Sequence, residues 1–345
     1  MLRKIKFLIT PLLISGLLFS DQQIPDVVTK VGTCAGNWLK LETGTRAIGM
    51  GGAHVAAGDG IYAAPYNPAS IGFVKGSDAF FSTTNYVAGI NHSVFGYATK
   101  QGESNFIGFH MFYMDSGEMD VTTVENPNGF GEKFSVTAFS LRGIYTRILT
   151  DRLKIGFAVK YIREQIYTTY MQTFVVDLGS NFDTGLYGMV LGMSVSNFGP
   201  QVEYMGEGLE IEVDSDLDPD EKLSRITNKF YLPLTFRLGI KNEIMGPNSS
   251  FVNTGDSNMH KLTLALDAIN ALDYTVYSTM GLEYSWKEMA FVRFGTHFGH
   301  DTAGISLGAG VNYRGINADF AYVDYGPLNN VNGFGTVQFG VGLDF

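Results

Sequence analysis

The chain carries a single cysteine, Cys34, which leaves no disulfide framework within one chain and no thiolate zinc site. Charged residues are sparse, at 17% of 345 residues, and Asp plus Glu (34) outnumber Lys plus Arg (24) for a formal net charge of -10. An acidic chain is a poor binder of a polyanion, so nucleic acid is not an expected partner. Beyond the N-terminus no apolar run reaches the roughly 18 residues of a spanning helix, and the mean hydropathy is only +0.05. That combination excludes a helical membrane protein. Glycine (42), phenylalanine (26) and tyrosine (18) are plentiful instead.

The apolar residues alternate with polar ones. In the last segment Val337, Phe339, Val341, Leu343 and Phe345 share one face, and Thr336, Gln338, Gly340, Gly342 and Asp344 share the other. A soluble sandwich with one buried face has the same period. Here the apolar face repeats strand after strand, while the opposite face is glycine and polar groups rather than a second core. That inversion suits a membrane-spanning β-barrel with lipid outside and a polar lumen inside. Fourteen strand-like runs fall near 77–87, 90–100, 104–115, 133–149, 152–166, 173–183, 188–198, 233–241, 260–268, 276–287, 290–298, 304–313, 316–325 and 333–345. The period is cleanest in the second half, for instance Met280, Leu282, Tyr284 and Trp286 against Thr279, Gly281, Glu283 and Ser285. Lys154, Lys160, Arg237, Asp267, Glu283 and Arg293 all fall on the lumen parity. On the lipid face at mid-membrane a Lys or Arg costs about 2–4 kcal/mol, so this parity carries information.

Link lengths alternate too. Gln101–Glu103, Thr150–Asp151, Thr184–Gly185, Lys287–Glu288 and Arg314–Gly315 are short, as periplasmic turns should be. The longer links 116–132, 199–232 and 326–332 fall on the other, extracellular parity, and 245–259 is a long exception on the short side. Outer-membrane lipids are therefore an expected partner. Aromatics near strand ends (Phe80, Phe81, Tyr86, Tyr97, Tyr145, Tyr161, Tyr284, Trp286, Tyr313, Tyr322 and Tyr325) read as interfacial girdles.

The N-terminus reads as a signal peptide over 1–20, with Arg3, Lys4 and Lys6 ahead of the apolar stretch Phe7–Phe19 and small Ser20 before Asp21. Cys34 lies too far downstream for a lipoprotein. Segment 21–76 does not alternate. Its core is Gly44-Thr45-Arg46-Ala47-Ile48-Gly49-Met50-Gly51-Gly52-Ala53, followed by Asn67-Pro68-Ala69. Glycine-rich backbone packs closely against other backbone, which suggests a plug inside the lumen of the barrel at 77–345. Gly49-Met50-Gly51-Gly52 loosely resembles a dinucleotide fingerprint, but that motif needs a preceding strand and a crossover helix, and neither is present.

The run from Gly44 to Ala53, with Arg46, Gly49, Gly51 and Gly52, and the triplet Asn67, Pro68 and Ala69 resemble the N-terminal signature of FadL-type outer-membrane proteins. They look most like the PorV/PorQ branch associated with type IX secretion, although Tyr66 stands where that signature has tryptophan. The resemblance spans nearly the whole chain. It implies an all-β, FadL-like transmembrane antiparallel barrel of about fourteen strands with an N-terminal hatch. In the PorV branch it implies a non-enzymatic role, in which secreted proteins with a C-terminal sorting domain pass from secretion-system components to the cell surface.

Candidate chemistry is thin. The acidic stretch Glu207, Glu210, Glu212, Asp214, Asp216, Asp218, Asp220 and Glu221 begins like a calcium loop at Asp214-x-Asp216-x-Asp218. Its sixth position is Pro219 rather than glycine and its twelfth Arg225 rather than glutamate, so a solvated extracellular loop is the better reading. His297 and His300 are three apart and would point to opposite faces of a strand, a poor metal pair. Ser116 beside Asp115 and Glu118 has no histidine base. No catalytic residue, cofactor or metal is assigned, and an enzyme is not expected. The first functional expectation is a PorV/PorQ-type accessory to protein export. The alternative is a FadL-like channel for long-chain fatty acids or other hydrophobic compounds, which needs a greasy pocket between plug and wall and a lateral opening where a strand is kinked. A lipid-modifying enzyme stands third.

Overall fold

The computed structural model describes residues 31–212, 222–255, 259–302, 304–326, 328 and 335–345. The signal-like stretch 1–20 and the start of the following segment lie outside the described residues. Among the described residues no helix is long and apolar enough to cross a membrane. The long elements are strands: β1 Ser77–Asn85, β2 Asn91–Gln101, β3 Asn105–Asp115, β4 Val136–Thr150, β5 Leu153–Ile166, β6 Thr169–Asp183 and β7 Val190–Phe198. The second half supplies β8 Thr235–Gly246, β9 His260–Ala271, β10 Tyr277–Trp286, β11 Ala290–Phe298, β12 Ile305–Tyr313, β13 Ile316–Val323 and β14 Thr336–Asp344.

Each strand pairs antiparallel with its sequence neighbours, and β1 pairs with β14 from Asp78↔Asp344 to Asn85↔Val337. The fourteen strands therefore close on themselves, with no free edge. Parity follows the sequence. Phe339 is 58% exposed on the outer face while its neighbour Gln338 is fully buried inside. Phe236, Leu238 and Ile240 point outward as well, and Lys160, Asp267, Glu283 and Arg293 point inward. The outer belt fits hydrocarbon, and the inside carries these charged and polar side chains beside a buried apolar cluster along β1 to β6.

Several strand limits differ from the sequence reading for identifiable reasons. β6 starts at Thr169 rather than 173, because Met171 and Val175 turn inward onto an apolar core and blur the alternation. Lys133–Phe134 leaves the barrel to pair with Met119–Asp120, so β4 starts later than 133. β8 continues past 241 to Gly246 through an irregularity between Glu243 and Met245. The long link beyond it folds back, with Val252–Asn253 pairing parallel to Met245–Gly246.

Residues 35–74 lie inside the ring. They touch inward-facing residues of β5 and β6 on one side and of β12 and β13 on the opposite side. They form one short helix, α1 Thr45–Gly49, and 3-10 turns at Asn37–Lys40, Ile61–Ala63 and Pro68–Phe73.

Candidate functional site

Local chemistry explains the shape of this inner segment. Pro68 opens its turn, and the Asn67 side chain accepts from the Ala69 amide at 3.0 Å. α1 stops where Gly51 (φ +62°) and Gly52 (φ +72°) take left-handed backbone, with the Gly52 amide donating to Ala47 O at 2.9 Å. Gly51 also needs its missing side chain. A Cβ there would lie 2.8 Å from the Thr296 amide nitrogen, and a Cβ on the facing Gly295 would overlap Gly51. Elsewhere Gly49 meets Gly308, Asn67 meets Gly179, Pro68 meets Gly156 and Ala56 meets Gly192. Glycines on the barrel wall thus form the trough in which the inner segment lies.

Polar contacts fasten the segment around the ring. Arg46 donates to both carboxylate oxygens of Glu283, at 2.8 Å from Nε and 2.7 Å from Nη2. Arg293 donates to the same Glu283 at 2.7 Å and pairs with Asp319, while Arg46 also pairs with Asp59. Lys40 donates to Asp273 at 2.6 Å, and the Val55 amide donates to Asp267 at 2.9 Å. Ser194 donates to Tyr66 O at 2.6 Å, Thr146 to Pro68 O at 2.7 Å, and the Ile61 amide to Asp78 at 2.7 Å. Glu42 lies 3.0 Å from His297 Nε2. Burial opposes the Glu42 charge, but His297 beside it, with His300 and Arg237 beyond, holds its carboxyl below the ordinary value. Burial pushes the His54 imidazole down to about 3, so this ring is neutral.

The opposite side of the segment is apolar. Trp38, Ile61 and Ile71 pack with Phe80, Val94, Phe106, Phe112, Ile144, Ile162, Met171 and Val175 from β1 to β6. At the end carrying the long loops the cluster continues as rings. Trp38 stacks on Phe112 at 5.3 Å, Phe112 on His92 at 5.4 Å, and Tyr86 bridges His92 and Tyr325 at 6.3 and 5.4 Å. At the end carrying the short turns, Val74 and Phe80 of the cluster also line a cavity of about 790 Å³, shared with Arg46, Asp59, Glu283 and Arg293. An apolar seam therefore runs from the loop end to this vestibule. Near it the β6–β7 ladder is irregular between Val176 and Leu178, where Asn197 takes left-handed backbone (φ +64°).

Each residue of the sequence motif has a place in this arrangement. Gly44 (φ +86°) lies against the Tyr62 carbonyl, Gly52 beside the Glu42 carboxylate, and Ala69 is fully buried against β5. Of the acidic stretch, Glu207 begins a 3-10 turn, and Glu210–Glu212 pairs with Lys222–Ser224 at the loop end. Asp214, Asp216, Asp218, Asp220 and Glu221 lie outside the described residues, so the calcium-loop and solvated-loop readings lie there with them. Ser116 Oγ accepts from the Val136 amide at 2.9 Å, a loop-closing bond.

Two sequence readings need correction. Phe80 belongs to the seam rather than to a girdle, and Tyr86 and Tyr325 join the ring series with His92, although Phe81, Tyr145 and Tyr313 do face outward. His297 and His300 come together, with ring centroids 5.6 Å apart, because the chain turns at Gly299 (φ +74°) and strand parity ends at Phe298.

No protein-family model matches the chain, and no curated protein matches it. Solved structures do. The toluene transporter TbuX of Ralstonia pickettii superposes with a TM-score of 0.53 at 13% identity, covering 88% of this chain and 98% of that one. The Pseudomonas putida toluene transporter TodX gives 0.54 at 10% identity, covering 88% and 98%. A Pseudomonas aeruginosa FadL homologue gives 0.50 at 13% identity, covering 88% and 99%. In fold, this is a FadL-like barrel. At such identities the likeness concerns the fold alone, and TbuX and TodX are transporters by name rather than enzymes.

Proposed function

We propose that this FadL-like barrel is an outer-membrane channel for small hydrophobic molecules, with residues 21–76 as its hatch and 1–20 as a cleaved signal. On this reading the short turns face the periplasm and the long loops face outside. The carrying observation is the seam, which joins the outer mouth at Tyr325 and Tyr86 to the vestibule at Val74 and Phe80 through side chains that are nearly all apolar. A polar lumen would repel a hydrocarbon, and a path lined by side chains such as Ile61 and Phe112 would not. The neighbours named as toluene transporters support the same solute class, and long-chain fatty acids belong to it too. The irregular β6–β7 ladder beside Met171 and Val175 offers the seam a side exit toward lipid.

This reading takes precedence over export of proteins. The PorV/PorQ assignment rests on Gly44–Ala53 and Asn67–Ala69, and those residues pack the segment against Gly295, Gly308, Gly179 and Gly156 whatever the barrel carries. The test is a deletion strain assayed for both activities. Lost uptake of toluene or a long-chain fatty acid beside normal secreted-protein yield supports the channel. Normal uptake beside failed export would reinstate the export role.

A further inference from the structure

A second, smaller cavity lies where the inner segment meets the wall, at the boundary between the seam and the polar contacts. It has a volume of about 40 Å³, and Leu39–Glu42, Gly52 and Tyr66 close it from the segment side. Arg142 of β4, Ser196 and Asn197 of β7, Arg237 of β8 and Tyr277 of β10 close it from the wall.

Polar groups in and beside it lack hydrogen-bond partners: Arg142 Nε and Nη1 among the donors, Asp177 Oδ2 and Glu42 Oε2 among the acceptors. Arg142 is only 5% exposed, and its Nη1 is buried with no hydrogen-bond partner. Asp177, 3.0 Å from Arg142, is shared with Lys160 at 3.5 Å. Lys160 is also held by the side chain of Asn197, whose backbone N–H donates to Asp177 at 2.7 Å. Arg237 donates to Ser196 at 3.1 Å, which leaves the hydroxyl proton of Ser196 free to turn elsewhere. Two guanidiniums therefore face one small enclosed space, and the Asp177 carboxylate is divided between two cations. A buried guanidinium N–H without an acceptor is costly, which makes an unfilled cavity here a poor resting state. The Glu42 carboxylate also borders the cavity with its Oε2 unpartnered, although its Oε1 is committed to His297.

We propose that this cavity is a binding site for one small monovalent anion of halide size, held by Arg142 and Arg237. The volume admits an ion or one to a few waters, and it leaves no room for an alkyl tail. The anion accepts from Arg142 Nη1 and from Arg237, with the Ser196 and Tyr277 hydroxyls as further donors. All four donors belong to the wall, and the segment caps the cavity, so binding of the ion stabilises the closed barrel.

The test uses the whole purified barrel with bromide as the probe. Crystals grown in sodium bromide are expected to show an anomalous peak in the cavity within hydrogen-bond reach of Arg142. The heat needed to unfold the barrel is expected to rise, saturably, with bromide or chloride but not with sulfate at equal ionic strength. Arg142→Gln should abolish that halide-specific rise. If the variant does not fold, the peak in the wild-type crystal decides alone. A cavity filled by non-anomalous density of water, or a halide response unchanged in Arg142→Gln, overturns the proposal.

Discussion

Arg46 of α1 lays its guanidinium along both carboxylate oxygens of Glu283 in β10, while Arg293 holds one of those oxygens from the next strand. The inner segment is thus tied to the second half of the barrel by one wall carboxylate shared between a segment arginine and a wall arginine. The pair is largely buried, with side chains 17% and 6% exposed. Removing one partner of a buried pair costs about 3–5 kcal/mol when the other is stranded. Arg46→Met leaves Glu283 with Arg293, so its cost should fall at or below the low end. Glu283→Gln takes a carboxylate from both arginines at once and leaves them only Asp59 and Asp319, so it should cost more. Limited proteolysis of the inner segment in intact barrels measures both, and equal resistance to wild type in Glu283→Gln would contradict the tie.

Gly51→Val should be poorly tolerated. The position needs left-handed backbone and has the Thr296 amide 2.8 Å from any Cβ. The expected outcome is a seated segment that cannot close, read as raised permeability to bulky antibiotics or a lower yield of heat-modifiable barrel. Unchanged permeability together with unchanged yield would count against an inserted hatch.

The Glu42–His297 contact gives the seat of the inner segment an acid limit. A carboxyl held below its ordinary 4.5 stabilises the folded arrangement fully above that pH, and the contribution is lost as pH falls through the lowered value. With Trp286 replaced by Phe, Trp38 on the inner segment is the sole tryptophan and reports its seat against Phe112. Its fluorescence should change on acidification below about pH 4.5, the ordinary value for the group. In Glu42→Gln that acid step should disappear, and a step of the same size and midpoint in the variant would remove Glu42 from the explanation.

Shortening the acidic loop 207–221 separates the two functional readings. Barrel pairing does not pass through Glu210–Glu212, which pairs only with Lys222–Ser224. A solute channel should keep its uptake and leave protein export unaffected. Loss of surface delivery of exported proteins, with the barrel intact, would favour the export role, where loop charge sets recognition and encounter rate.

Much of the barrel was legible because membrane physics writes a simple code: the parity of Phe339 and Gln338, or of Leu282 and Glu283, follows from lipid on one side only. The apolar seam was not read, yet it left a trace. Alternation is weaker in the first half because Phe80, Val94, Phe112, Ile162 and Met171 face inward onto the inner segment, making both faces of those strands apolar. The glycine meetings, such as Gly51 with Gly295, join residues far apart in the chain and have no period to betray them. Strand parity also misled at His300, since it holds only until the chain turns at Gly299.

The most direct measurement is hydrophobe flux through purified barrels in liposomes, with Ile61 replaced by tryptophan. Ile61 is fully buried at the centre of the seam, between Gly96 and Gly108 of the wall and Ile71 of its own segment. The larger ring overpacks that point at a cost of about 1–3 kcal/mol, which a closed barrel should survive. The seam route predicts that wild type passes toluene or a long-chain fatty acid and that Ile61→Trp passes it several-fold more slowly, with heat-modifiability retained. Equal flux in an intact Ile61→Trp barrel, or none in wild type above empty liposomes, would contradict it.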